Sequence, residues 1–297
     1  PVSSSKMEIP GQKTHPLAIA GMVMAFIPIF NCLAFPVSIV ALVRTNNNTL
    51  KYKGMGLCIA AIIVSLITSA LMIPVVPLVV LPKLADAKRN TWAMQSVDNQ
   101  RNIGAAYTQY LDDNDGWYPR VRGSAGVGGK QGNALGHNGP LPNIVSRLYG
   151  AKVPEGERPL NKYVSNLEIF HDPADMGGGA FNVPSCWEAF GNSYQPSVAD
   201  DMFRVKHVLG EKTENKDSYE GTSLHEQEIT KSPANKIIQG DWNWPYDREE
   251  AWHSDIGLGK HIMLYGDGHA EQFVFPPTST MTNWFLSPAP DPSFEWW

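Results

Sequence analysis

Asp112, Asp113, Asn114 and Asp115 stand in a row before Gly116, which puts three carboxylates and an amide oxygen in one short segment. Calcium takes six to eight oxygen donors, so this density suits a hard cation. Asp112, Asp113 and Asp115 are the candidate calcium ligands. The EF-hand spacing is not met, because Leu111 occupies the first ligand position, five before Gly116. The competing expectation is a solvated turn that ends a helix. Two further groups carry metal-ligating or acid/base side chains. His171, Asp172 and Asp175 form one, and His253, His261 and His269 the other. Pro173 sets a turn in the first, where Asp is favoured for bonds to its own backbone. In the second, an ideal hairpin across Gly266–Gly268 does not set His261 opposite His269, so shared zinc ligation is strained.

GxSxG, HExxH and CxxC are absent, and no catalytic residue or cofactor is assigned. Residues 120–140 are glycine-rich but match no phosphate-binding pattern, and a surface loop is expected. Tryptophan clusters toward the C-terminus. Trp242 and Trp252 are expected in the core. Trp242, Trp244 and Trp284 are the candidates for stacking on a glycan. Trp296 and Trp297 are the candidate interface, since an exposed Trp-Trp tail is costly unless a partner covers it.

The elements that must position these residues follow from periodicity. Residues 83–112 read as a helix, with Trp92, Met94, Val97, Ile103, Ala106, Tyr107 and Tyr110 at roughly helical spacing. Gly116 supplies its C-terminal cap and Pro119 prevents resumption. A short helix is expected over 141–149. Strands are expected in "LEIFHDPAD", "NSYQPS" and "KIIQGDWNW", and a hairpin in "KHIMLYGDGHAEQFVF" around Gly266-Asp267-Gly268. One long helix followed by an antiparallel sheet is an α+β plan.

The N-terminal part differs in kind. Residues 16–43 and 54–82 carry no charge, and each is long enough to cross a bilayer, which takes about 20 apolar residues. Pro28, Asn31 and Pro36 interrupt the first run. One kinked span is the first expectation, and a re-entrant helical hairpin the alternative. Of the chain's 24 bases and 29 acids, five and one fall in residues 1–82, leaving 19 and 28 beyond. The formal charges are therefore +4 and −9, and the acidic part is a poor partner for nucleic acid. Arg44, Lys51 and Lys53 place the connecting loop in the cytoplasm and the large domain outside. The expected division is a tail over 1–15, a two-span anchor over 16–82 and a soluble domain over 83–297. Pro1 suits a start from which Met was removed, and no cleavable secretory signal is expected. Cys186 is the soluble part's one cysteine, so no internal disulfide forms there.

Two resemblances follow. The opening Leu17-Ala18-Ile19-Ala20-Gly21, echoed by Gly56-Leu57-Cys58-Ile59-Ala60-Ala61, resembles a two-span bacterial membrane domain of unknown function, which implies anchoring and no chemistry. Four ordered blocks beyond it resemble the bacterial prepilin-like, or pseudopilin-like, proteins whose C-terminal motif is a histidine, nine residues, then Asp-Gly. They are Asn102 through "AAYTQYLDDNDGWYP", Arg158–Asp175, Ser185–Pro196 and Gly266–Phe273. That resemblance implies a pilin-like domain, a long helix packed on an antiparallel β-sheet, preceded here by transmembrane helices. It also implies a non-catalytic structural or accessory subunit of a cell-envelope or membrane complex, on the periplasmic or extracytoplasmic side. The implied partners are the lipid bilayer and other envelope subunits or copies of itself. Calcium at the Asp-rich turn is the one ion it suggests.

The departures are specific. The prepilin-peptidase junction is missing, so pilus assembly by the usual route is not expected. Thirteen residues separate His253 from Asp267, and five separate His261 from it. Asp172 stands where the family has cysteine. An extracytoplasmic glycan-binding module through the tryptophans is the alternative reading, and an envelope enzyme using the His/Asp groups the third.

Overall fold

A computed structural model describes residues 11–27, 30–178, 182–198, 201, 204–242, 244, 252, 253, 259–276 and 289–297. The chain divides into two compact units, Pro1–Asp86 and Ala87–Trp297.

In the first unit, β1 (Lys13–Thr14) leads into α1 (Pro16–Phe26), followed by α2 (Asn31–Asn47), β2 (Tyr52–Lys53) and α3 (Met55–Val75). His15 caps α1 by accepting from the Leu17 N–H at 3.1 Å, and Pro16 sits in the first turn, where a missing N–H costs nothing. β1 and β2 pair in parallel, so α1 and α3 start at one end. Ala18 shares a buried cluster with Ala41 and Cys58, and Gly21 lies against Ser38, a register in which α2 runs back along α1. The first apolar segment is thus two antiparallel helices rather than one kinked span. The 11 residues of α1 cover only ~16 Å. The helix beginning at Met55 is long and apolar enough to cross a membrane. Among the described residues, 23 of the 31 exposed large hydrophobic side chains lie between Ile19 and Leu84. The few buried contacts join small or polar groups: Asn31 donates to Ser69 Oγ at 2.8 Å and to the Ser65 carbonyl.

The second unit is built on α4 (Leu81–Asp113) and a four-stranded sheet of β6 (Tyr194–Pro196), β8 (Ile237–Asp241), β9 (Lys260–Tyr265) and β10 (Ala270–Val274). Short pairs complete the strands: β3 (Arg120–Val121) with β7 (Gly210–Glu211), and β4 (Leu135–Gly136) with β5 (Gly139–Pro140). The sheet order is β10-β9-β8-β6, antiparallel throughout. α4 buries Ala93, Ser96, Gln100, Ile103, Tyr107 and Leu111 along one stripe at three- and four-residue steps. Gly104 lets it approach Leu264 and Gly268 of the terminal hairpin closely. Every residue of β8 is buried, so this strand is covered on both faces.

The stripe on α4 is more polar than expected. Met94 is exposed, while Ser96 and Gln100 are sealed. Gln100 accepts from Gln239 at 2.7 Å, and Gln239 accepts from the Tyr107 hydroxyl, so each buried amide has a partner across the sheet. Leu167–Phe170 is a 3-10 turn rather than a strand, capped by the Asn166 side chain. A helix, α5 (Asn143–Leu148), forms inside 141–149.

The glycine-rich segment is a surface loop only in its second half: Gly123–Gly129 is buried, whereas most of residues 130–140 is exposed or half-buried. Its glycines are required by contact, because a Cβ on Gly128 would enter the Phe170 ring, and Gly129 (φ 95°) lies against the Gly191 carbonyl. Arg158 closes this region. It is 2% exposed and donates to the carbonyls of Ala125, Gly128, Gly150, Val153 and Phe190. Burial lowers its pKa to about 10, so it remains a cation at neutral pH.

Candidate functional site

The residues with chemical potential converge where the end of β8, the segment after Phe170 and His253 meet. Asp172 follows the 3-10 turn. Its Oδ1 accepts from the Ala174 N–H at 2.7 Å, an Asx turn of the kind that Pro173 favours. Its Oδ2 accepts from Ser96 Oγ at 2.6 Å and contacts His253 Nε2 at 2.9 Å. Asp241 ends β8. The β8–β9 ladder last pairs Gly240 with Met263, and the Asp241 Oδ2 takes the Ile262 N–H at 2.8 Å. That oxygen lies 3.8 Å from His253 Nε2. Tyr194 on β6 closes the ring, with its hydroxyl 3.1 Å from Ser96 Oγ and accepting from Asn99.

Two carboxylates facing one imidazole away from water perturb one another. Burial raises the Asp241 pKa to about 7, with the Asp172 charge adding and His253 opposing. Burial lowers that of His253, but Asp241 and Asp172 outweigh it and hold the imidazole at about 8. Asp241 Oδ1 and His253 Nδ1 are buried and have no hydrogen-bond partner among the described residues. The side chains of Asp172, His253 and Asp241 are 0%, 0% and 4% exposed. So enclosed an arrangement can hold a proton or an ion.

The other residues of interest are dispersed. Asp175 organises α6 (Cys186–Phe190) at its N-terminus: its carboxylate accepts from the backbone of Gly177, Cys186 and Trp187 and from the Ser185 and Ser193 hydroxyls. His171 stacks on Trp187 and pairs with Glu168. His261 faces Phe273 across the hairpin, as the register requires. His269 stacks on Tyr265 at the hairpin tip, where its N–H donates to Asp267. Neither sequence grouping assembles as a unit. The cluster takes Asp172 from one and His253 from the other, and adds Asp241, which neither contained.

Comparison with protein families, with curated proteins and with solved structures returned no match.

Asp112, Asp113 and Asp115 do not bring their carboxylate oxygens together. Asp113 accepts from Lys162 Nζ and the Tyr163 hydroxyl, both at 2.8 Å, and the bond and charge from Lys162 lower its pKa. Asp115 adopts φ 53° and its carbonyl faces His225. Gly116 donates back to Leu111, which closes the helix. Among the described residues, Asp172, Asp241 and His253 are the one group of three such side chains whose ligand atoms converge.

Trp297 is 2% exposed inside the domain's own core, with its indole N–H on the Ser232 carbonyl, and Trp296 packs on Phe273 and Phe275. The domain itself covers Trp297 and half-buries Trp296, so the tail is not the fully exposed Trp-Trp pair on which the expected interface rested. Trp242 stacks on Phe190, Trp252 is buried, and Trp244 donates to the Gln195 carbonyl. Trp242 and Trp252 are therefore core side chains, and Trp244 is half-buried. Trp284 lies outside the described residues.

Two buried cations had no sequence signal of their own. Arg158 is one. Lys236 is the other, donating to the carbonyls of Lys206, Ile237 and Trp297, with its pKa lowered by burial to about 7. Both are polar letters in polar segments, and only the packing reveals their burial.

Proposed function

We propose that this chain is a membrane-anchored, non-catalytic, pseudopilin-like structural or accessory subunit of a bacterial cell-envelope or membrane complex. The observation that carries this reading is α4 lying along a four-stranded antiparallel sheet that ends in the Asp267-Gly268-His269 hairpin. This is the plan that the sequence resemblance implies. The family-like motifs are occupied by structural tasks: Asp175 anchors α6, Asp267 closes the hairpin, and Asp172 joins α4 to His253.

The apolar exterior of residues 19–84 supports immersion in lipid. The β1–β2 pairing places Lys13 beside Lys51 and Lys53 at the end where α2 returns with Arg44. That concentration of bases supports a cytoplasmic position for this end, with the domain after α4 on the extracytoplasmic side. Cryo-electron microscopy of the protein extracted from its native membrane in mild detergent tests the assignment. It should appear inside an ordered assembly, and a lone monomer would overturn the subunit reading. Thiol labelling tests orientation: Lys216→Cys should react in intact cells, and Thr49→Cys only after permeabilisation.

A further inference from the structure

We infer that Asp172, Asp241 and His253 form a structural binding site for one divalent transition-metal ion of the zinc type. One ligand atom from each lies within 4.8 Å of the others. Bonds of ~2.0–2.1 Å to a tetrahedral ion set its donors about 3.3 Å apart. The observed separations of 2.9 and 3.8 Å from His253 Nε2 fall on either side of that edge. One imidazole nitrogen with carboxylate oxygens suits zinc and its neighbours, whereas calcium needs six to eight oxygens that this pocket does not supply.

The supporting groups are those that orient ligands. Ser96 Oγ and the Ala174 N–H hold Asp172, and the Ile262 N–H holds Asp241. The Asp241 carboxylate also has an unmet oxygen: its Oδ1 is buried and has no hydrogen-bond partner among the described residues. An acceptor left in this way is unfavourable, and a metal ion on the carboxylate offsets the deficit. Charge points the same way. When His253 gives up its proton to bind a metal, the two sealed carboxylates carry two negative charges that burial penalises, and a divalent ion cancels them. His253 Nδ1 lacks a partner whether Nε2 meets a proton or a metal, so it does not discriminate between the two.

The ion would join the end of β8, the turn that follows Phe170 and His253. This is a bolt within the domain and involves neither catalysis nor a partner subunit. The site is independent of the assembly reading above.

The test uses the full chain without a polyhistidine tag, purified in mild detergent. Elemental analysis should find about one equivalent of zinc-type metal per chain. After chelation, Co2+ should restore about one equivalent with the ligand-field absorption of a four-coordinate site, and Zn2+ should displace it. His253→Gln and Asp241→Asn should each lower retention at least about tenfold, while Asp113→Asn should leave it unchanged. Folded wild-type protein that retains no metal, shows no Co2+ spectrum and does not gain thermal stability with Zn2+ would overturn the site. Equal retention by His253→Gln, Asp241→Asn and wild type would overturn it as well, since the metal would then be bound elsewhere. If either variant fails to fold, the wild-type stoichiometry and Co2+ spectrum decide.

Discussion

Two acidic regions of this molecule behave in opposite ways. Asp112, Asp113 and Asp115 are adjacent in the chain, yet they form no ligand set: Asp113 turns to Lys162 and Tyr163, and Asp115 adopts the left-handed conformation that ends α4. Asp172 and Asp241 are far apart in sequence, yet they meet at one imidazole inside the core. Neighbouring carboxylates at a helix end find local donors and water, so nothing forces them together. Distant carboxylates brought in by a turn and a strand end are held by the packing around them. Density of acidic residues along a sequence is therefore a weaker guide to a site than burial.

The contrast can be broken at several points. The largest effect is expected from Asp172→Ala, which strands His253 and Ser96 without their acceptor and should destabilise the domain by about 3–5 kcal/mol in denaturant titration. Lys236 extends the contrast to a buried cation. Its folded pKa of about 7 lies below the value of about 10.4 expected in the unfolded chain. Between those values the unfolded chain holds a proton that the fold has released, so stability should rise with pH through that window and fall as pH drops toward 7. Thermal melts should show a slope of up to roughly 1.4 kcal/mol per pH unit that Lys236→Met abolishes. Ser96→Ala removes one donor from Asp172 and should cost about 1–2 kcal/mol. At the far end of the scale, Asp113→Ala should leave the melting temperature within error. A loss comparable to that of Asp172→Ala would erase the distinction between the two regions.

The sequence is most legible where local rules decide. Periodicity and the Gly116 cap place α4 to within two residues, and Gly266-Asp267-Gly268 locates the β9–β10 hairpin. The α+β plan of the second unit follows from these. Local rules fail where a residue's partner lies far along the chain. Ser96 and Gln100 lie outside the apolar positions that mark the helix, yet both are buried because Asp172 and Gln239 wait across the packing. The segment around Gly128 reads as a surface loop, because glycine serves turns and close contacts alike and only Phe170 and Arg158 show which applies. Pro28 and Pro36 suggest a kinked span, whereas the Ala18–Ala41 and Gly21–Ser38 register shows a helical fold-back. Two of the three residues of the central cluster, Asp172 and His253, stand in separate sequence groups, and nothing in their spacing joins them or calls in Asp241.

The two buried polar hubs also imply an order of events as the chain folds. The partners of Arg158 lie 5 to 33 residues away, whereas the contacts of Asp172 with Ser96 and His253 span 76 and 81. Loop closure becomes slower and entropically more costly as the enclosed segment lengthens. The guanidinium hub therefore closes early and supplies a ready-made wall. The carboxylate pair stays open to solvent until the segment bearing His253 docks. Whatever neutralises that pair must enter during this interval, and once the domain is sealed it exchanges only as fast as the domain opens.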